Sequence, residues 1–312
     1  MGWERWSYMD HWSTQTPQGL RHPSFNRQYM ERYLRQLEAL RFTGFDTFAF
    51  SLPAYAALYG SVPAFDAALR EHGMNLTGVF QAYPYATDFR APHRRETHDG
   101  IVADFDRISR TVDGLAVENV IVMPTNTYFQ VAPVTDETIK VTADVWNRVG
   151  GMLKDRGLAL GCHFEFWGAI RTEDELDLFM SHTDPESVGF FCDTAQHTIA
   201  GVDPLALFQR YQDRCRGFHF KDTRDVDAEA YDKAPDAEIM AEGVERWFYE
   251  MGTPEGLVDF PAIMAAIVES DFDGWLTVEH DKADIGGDFA ESTCVARWYM
   301  DNVLDAVIGE RA

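Results

Sequence analysis

In the second half of the chain, side chains able to hold a metal ion or move a proton recur at the ends of successive β-rich runs: His163 and Glu165, then Asp193, then His219, then Glu279. Carboxylates and an imidazole, with no thiolate among them, make a mixed oxygen and nitrogen donor set. Such a set suits a divalent ion in an open site, with Mn2+ placed first and Mg2+, Co2+ or Zn2+ as the alternatives. Three carboxylates gathered in a low-dielectric mouth repel one another strongly unless a cation lies between them, and that repulsion is the physical argument for a metal. One strand-end His or Asp alone is more often a hydrogen-bonding or capping group. The recurrence at the ends of separate runs is what points to a ligand set.

Bringing those ends together takes a repeated strand-and-helix unit. Eight short β-rich runs occur at residues 5–9, 44–52, 75–82, 119–123, 158–166, 188–192, 217–220 and 275–279, most of them followed by a stretch of helical period. In residues 24–40, Phe25, Tyr29, Tyr33, Leu34, Leu37 and Leu40 recur at three- and four-residue steps between charges. Residues 261–270 follow Asp259, an N-cap residue type, and place Ile263, Met264, Ile267 and Val268 on one side. The pattern predicts a single (β/α)8 barrel over residues 1–312, with a doubly wound open sheet as the alternative. In a parallel barrel the C-terminal strand ends converge on one mouth, where the ligand-type residues would meet. Residues 224–256 lack a strand pattern and carry Trp247, Phe248 and Tyr249 among acidic residues, which predicts an elaborated loop after the seventh strand, acting as a lid or a subunit contact.

Composition narrows the function classes. With 312 residues and 46% hydrophobic content the chain can bury a large core. A formal charge of −24 repels phosphate backbones and anionic membrane surfaces, so nucleic acid and membrane are not expected partners. The cysteines Cys162, Cys192, Cys215 and Cys294 show no paired or metal-type spacing, the N-terminus MGWERWSYMDHW does not read as a secretion signal, and no apolar stretch has the length of a membrane span. The expectation is a soluble, cytoplasmic protein.

Several longer strings share one family signature. They are GLALGCHFE at 157–165, VGFFCDTA at 188–195, AGVDP at 200–204, YQDR at 211–214, FHFKD at 218–222, GLVDF at 256–260 and GWLTVE at 274–279. Over residues 157–281 the sequence resembles the xylose isomerase-like barrels, a family of sugar isomerases, epimerases, inosose dehydratases and catalytic subunits of C-glycoside deglycosidases. The resemblance implies one divalent metal held by a fifth-strand residue, Asp193, His219 and Glu279. His163 and Glu165, two apart on a strand, can both face the site. Glu165 is assigned to the metal and His163 to proton transfer, with the reverse assignment open. Relatives often carry Asp-Thr-x-His after the sixth strand, whereas here Gln196 takes the place of that His and His197 follows it. Gln196 can bind a sugar hydroxyl but cannot act as a base. His197, Lys221 and His11 complete the candidate substrate-binding residues, with Lys221 and Asp222 alternatively a rim ion pair. Phe164 and Phe166 are expected to pack against helices.

The implied chemistry is removal of a proton next to a carbonyl. Loss of a β-substituent then gives elimination, and return of the proton gives an isomer or epimer. The strings between 200 and 222 look more like inosose dehydratases and deglycosidase subunits than like ketose epimerases. Elimination on a keto-sugar, keto-glycoside or inosose is therefore placed first, metal-dependent isomerisation or epimerisation second and a non-catalytic sugar-binding subunit third. The partner is a small sugar, glycoside or cyclitol, joined by a second copy of the chain or, as the deglycosidase likeness implies, a small accessory subunit.

Overall fold

The apolar runs become eight parallel strands in a computed structural model that describes residues 2–11, 26–81, 90–227, 247–281 and 289–311. The strands are β1 (Trp6–Asp10), β2 (Gly44–Phe48), β3 (Asn75–Gln81), β4 (Asn119–Val122), β5 (Ala159–His163), β6 (Val188–Asp193), β7 (Cys215–Phe220) and β8 (Trp275–Val278). Each pairs with its neighbours in sequence, and β8 returns to β1 with Ser7 opposite Thr277, closing the barrel. Closure removes both sheet edges and excludes the doubly wound alternative.

The helices take the outer layer because each carries an apolar stripe. Arg27–Ala39 turns Met30, Tyr33, Leu34 and Leu37 inward, and Asn26 caps it by accepting from the Tyr29 N–H at 3.2 Å. Phe260–Glu269 buries Phe260, Ile263, Met264 and Ile267, and the Asp259 carboxylate accepts from the Ala262 N–H at 3.0 Å. Most strand ends shift by one or two residues from the expected runs, and two shift by more. Leu52 opens the helix Leu52–Tyr59, where Pro53 fits the first turn, and does not end β2. β5 stops at His163, so Glu165 lies past the strand. Of the long segment expected after β7, residues 228–246 lie outside the described residues. Its far end returns to the barrel, where Tyr249 forms a two-way backbone bridge with Asp222 at 3.0 and 2.9 Å.

The barrel interior is filled in layers. At the N-terminal end Arg5 lies 4.5 Å over the Trp275 ring and pairs with Glu118, which accepts from Trp275 Nε1 at 3.1 Å. Above it Asp46 accepts from the Thr77 hydroxyl at 2.6 Å and from the Thr277 hydroxyl at 2.8 Å. Next comes an apolar cluster of Met9, Phe48, Phe80, Ile121, Met123 and Phe191. Glycines on β5 and β7 make room for it. A Cβ on Gly217 would stand 2.6 Å from Phe191 Cε2, and one on Gly161 would stand 3.0 Å from Phe191 Cδ2.

Candidate metal centre

Directly above that apolar floor, β5 to β8 deliver their terminal polar side chains to one place. His163, Asp193, His219 and Glu279 each offer a ligand atom, and those atoms lie within 4.8 Å of one another, all four residues buried. The floor touches them: the Phe80 ring centroid is 5.1 Å from that of His163, and Phe191 is 4.8 Å from His219. Charges held over apolar rings and away from water interact strongly, so the pairings in this cluster decide its electrostatics.

Asp193 divides its two oxygens. Oδ1 accepts from the Gln196 N–H at 2.9 Å and so caps the short helix Thr194–Ile199, while Oδ2 meets His163 Nε2 at 2.9 Å and Lys221 Nζ at 3.1 Å. Glu279 does the same. Oε1 faces His11 Nε2 at 2.9 Å, and Oε2 faces His219 Nδ1 and Lys221 Nζ, both at 2.9 Å. Burial alone would raise both carboxyls. Lys221 and then His163 override it at Asp193, and His219, Lys221 and His11 override it at Glu279, so both are held below the usual carboxylate range. For His163, burial works to lower the imidazole, but Glu165 and Asp193 outweigh it and hold it up at about 10.

The donor set fits a divalent cation. Two imidazoles and two carboxylates converge, and His219 Nδ1 and Nε2 and Glu279 Oε2 are buried without a hydrogen-bond partner. Nδ1 and Oε2 approach to 2.9 Å without hydrogen-bond geometry, as two ligand atoms facing one ion would. A second group, His11, Glu279 and Asp281, shares Glu279 with the first.

The remaining expected residues fall at different distances from this cluster. Glu165, expected among the ligands, stands outside the set because the chain leaves β5 before it. Its Oε1 is 3.3 Å from His163 Nδ1, on the ring edge away from Asp193, and its Oε2 accepts from the Gln196 amide. Gln196 is itself fixed by accepting from the Phe166 N–H at 3.0 Å. His197 is not brought to the mouth. Its ring packs 5.4 Å from Phe190, and burial pushes it down to about 4. Phe164 meets Phe179 of the helix Glu173–His182 at 5.4 Å, the packing expected of an outward strand position, whereas Phe166 joins Trp167, Trp247 and Phe248. Asp222 pairs with backbone and not with Lys221, accepting from the Thr223 and Val258 N–H groups at 2.8 and 3.1 Å. Asp281, and the contact of Phe248 with Lys221, were not anticipated. Lys221 Nζ lies 2.8 Å from Asp281 Oδ2 and 4.1 Å from the centre of the Phe248 ring. Position signalled the lysine's place, since Lys221 is two residues from His219 and only one past the end of β7.

Fold and cluster together define a closed (β/α)8 barrel with a buried histidine and carboxylate centre at its C-terminal mouth. The chain belongs to the xylose isomerase-like TIM barrel family, whose model matches residues 37–296. Among curated proteins it is similar to the inosose dehydratase of Lacticaseibacillus casei, 32% identical over 171 residues, which are 55% of this chain and 56% of that protein. The chain thus spans about half the length of the curated relatives it matches. Among solved structures it resembles that of the IOLI protein with a binding zinc atom, with TM-score 0.73, 15% identity and coverage of 97% and 99% of the two chains. It also resembles D-psicose 3-epimerase with D-tagatose from Clostridium cellulolyticum H10, with TM-score 0.70, 12% identity and coverage of 95% and 97%. At these identities the structural likeness concerns the fold. Among the described residues, no helix is long and apolar enough to cross a membrane.

Proposed function

We propose that this chain is a divalent-metal-dependent lyase that removes the proton α to the carbonyl of a keto-sugar, keto-glycoside or inosose and expels the β-substituent. The observation that carries this reading is the convergence of His163, Asp193, His219 and Glu279, with Glu165 held just outside the set. Likeness to an inosose dehydratase supports the dehydration. A divalent ion held by these four residues would polarise the substrate carbonyl and stabilise the charge that develops on its oxygen. Manganese is the first choice, and zinc also suits two imidazoles with two carboxylates.

The placement supports the reverse of the two assignments left open from sequence, with His163 as the fifth-strand ligand and Glu165 as the proton acceptor. Glu165 lies beside the ligand set without belonging to it, and the Gln196 amide fixes its carboxylate. Gln196 thereby orients the base and does not need to be one. A proton taken by Glu165 can be handed to the leaving hydroxyl on the same side, which completes a dehydration with one acid-base group. Lys221 and His11 bind substrate oxygens. The four cysteines, free of disulfides among the described residues and three of them buried, suit the cytoplasm.

A second reading, epimerisation or isomerisation, rests on His11, which stands at the other oxygen of Glu279 and supplies a second proton-transfer group. Proton NMR in D2O of the manganese-loaded protein with an inosose, a 3-keto-glycoside and a free ketose separates the readings. Vinylic product is the expected result. Deuterium next to the carbonyl without elimination would move the chain to the isomerases.

A further inference from the structure

Lys221 is about 1% exposed and is surrounded by three carboxylates, with Nζ 3.1 Å from Asp193 Oδ2, 2.9 Å from Glu279 Oε2 and 2.8 Å from Asp281 Oδ2. Two of those oxygens are the ones a cation in the centre would need. Asp193 Oδ1 is committed to the Gln196 N–H and Glu279 Oε1 to His11, so Oδ2 and Oε2 are the oxygens that face an ion, each beside a histidine of the same cluster, His163 Nε2 at 2.9 Å and His219 Nδ1 at 2.9 Å. An ammonium and a divalent ion cannot both sit at hydrogen-bonding or coordination distance on the same side of two oxygens without strong repulsion. Charge balance shows where the ammonium goes. Asp193, Glu279, Asp281 and the neighbouring Glu165 sum to −4, of which one divalent ion offsets only two, so Lys221 stays in the site when the ion enters. Asp281, at the part-exposed rim, and the Phe248 ring 4.1 Å from Nζ give it a place to stay. Phe248 is held there by the Asp222–Tyr249 backbone bridge next to it.

We infer that Lys221 is an internal counter-ion that competes with the divalent cation for Asp193 Oδ2 and Glu279 Oε2, and that loading confines its ammonium to Asp281 and the Phe248 ring, where it is offered to a substrate oxygen. The inference rests on the metal centre proposed above. It makes Asp281 a positioning residue that aids loading by drawing Lys221 off the ligand oxygens.

The test is titration of the metal-free full-length protein with MnCl2 and ZnCl2 by calorimetry or chelator competition. Lys221→Met is expected to bind either ion about tenfold tighter or more, because the competitor is gone. Asp281→Asn is expected to bind several-fold weaker, and its effect should vanish in the Lys221→Met/Asp281→Asn double variant. Unchanged or weaker binding by Lys221→Met would overturn the competition. An equal loss from Asp281→Asn with and without Lys221 would overturn the transfer, and would instead make Asp281 a direct cation ligand together with His11. If Lys221→Met does not fold when metal-free, Asp281→Asn against wild type still decides the sign, and affinity equal to or tighter than wild type overturns the proposal. A wild-type protein that binds no ion would sink the metal centre itself, an outcome distinct from a wrong sign in the variants.

Discussion

Gly217→Ala tests the floor of the centre with a single methyl group. The added Cβ would sit 2.6 Å from Phe191 Cε2 and 3.2 Å from the Trp275 carbonyl oxygen, whereas carbon atoms in good contact stand about 3.5–4.0 Å apart. The Phe191 ring must therefore move by about 1 Å, and it has little room. Its Cδ2 atom is already 3.0 Å from where a Gly161 Cβ would stand, and the His219 ring centroid is 4.8 Å from its own. Overpacking of this kind costs about 1–3 kcal/mol. If about 1 kcal/mol of that reaches His219, metal affinity falls roughly fivefold. Urea unfolding of the metal-free protein measures the first quantity, and the added stability at a fixed manganese concentration measures the second. Gly151→Ala is the control of opposite sign. Gly151 lies in the helix Asp136–Lys154 with nothing within 4 Å of its added Cβ, so alanine there should stabilise by about 0.5–1 kcal/mol. Shortening the ring with Phe191→Leu should absorb part of the Gly217→Ala penalty. If Gly217→Ala unfolds at the wild-type urea concentration, the ring does not fill the space above that glycine and the account of the floor is wrong.

Two further outcomes are expected. Asp193→Asn should lower manganese affinity by more than about 100-fold, since loss of an outer-shell partner alone costs 10- to 100-fold, and retention of wild-type affinity would remove Asp193 from the ligand set. His197 and His280 are each held down at about 4 by burial, below the unfolded value of about 6.5. The unfolded chain therefore takes up protons first as pH falls. The stability that these two histidines contribute is full above pH 6.5 and is lost between 6.5 and 4, by up to roughly 3 kcal/mol each. Urea unfolding at pH 7.5 and 4.5 with chelator present should show a smaller loss for His197→Phe than for wild type, and equal losses would refute the assignment.

The barrel rhythm was legible in sequence because parallel strands covered on the outside by helices keep dense apolar runs, and Asp259 marked a helix start through a cap that local chemistry dictates. Asp193, His219 and Glu279 were legible because they stand at or just past strand ends, where direction follows from strand parity. Glu165 was harder to place. Parity carries over to Glu279, one residue past β8, but Glu165 lies two residues past the end of β5 at His163. His197 follows Gln196 in sequence, yet the turn of the helix Thr194–Ile199 sends its ring to the Phe190 side, a rotation that residue spacing alone does not give. Phe248 and Asp281 reach Lys221 through tertiary contacts from other segments, and Gly217 and Gly161 matter only through a ring on the strand between them.

The polar link deep in the barrel has a consequence for assembly. Asp46 on β2 accepts hydroxyls from Thr77 on β3 and from Thr277 on β8, so it ties the first third of the chain to the last. Thr277 and Glu279 are two apart on the same stretch of chain. A slip of β8 by one residue would take Thr277 from Asp46 and turn Glu279 out of the mouth in the same movement. Asp46 would then be a buried carboxylate short of a donor, at a cost of about 1–3 kcal/mol or more. Misregistered closure is thereby penalised far below the mouth, and Glu279 can reach the centre only in a barrel that has already paired its final strand correctly.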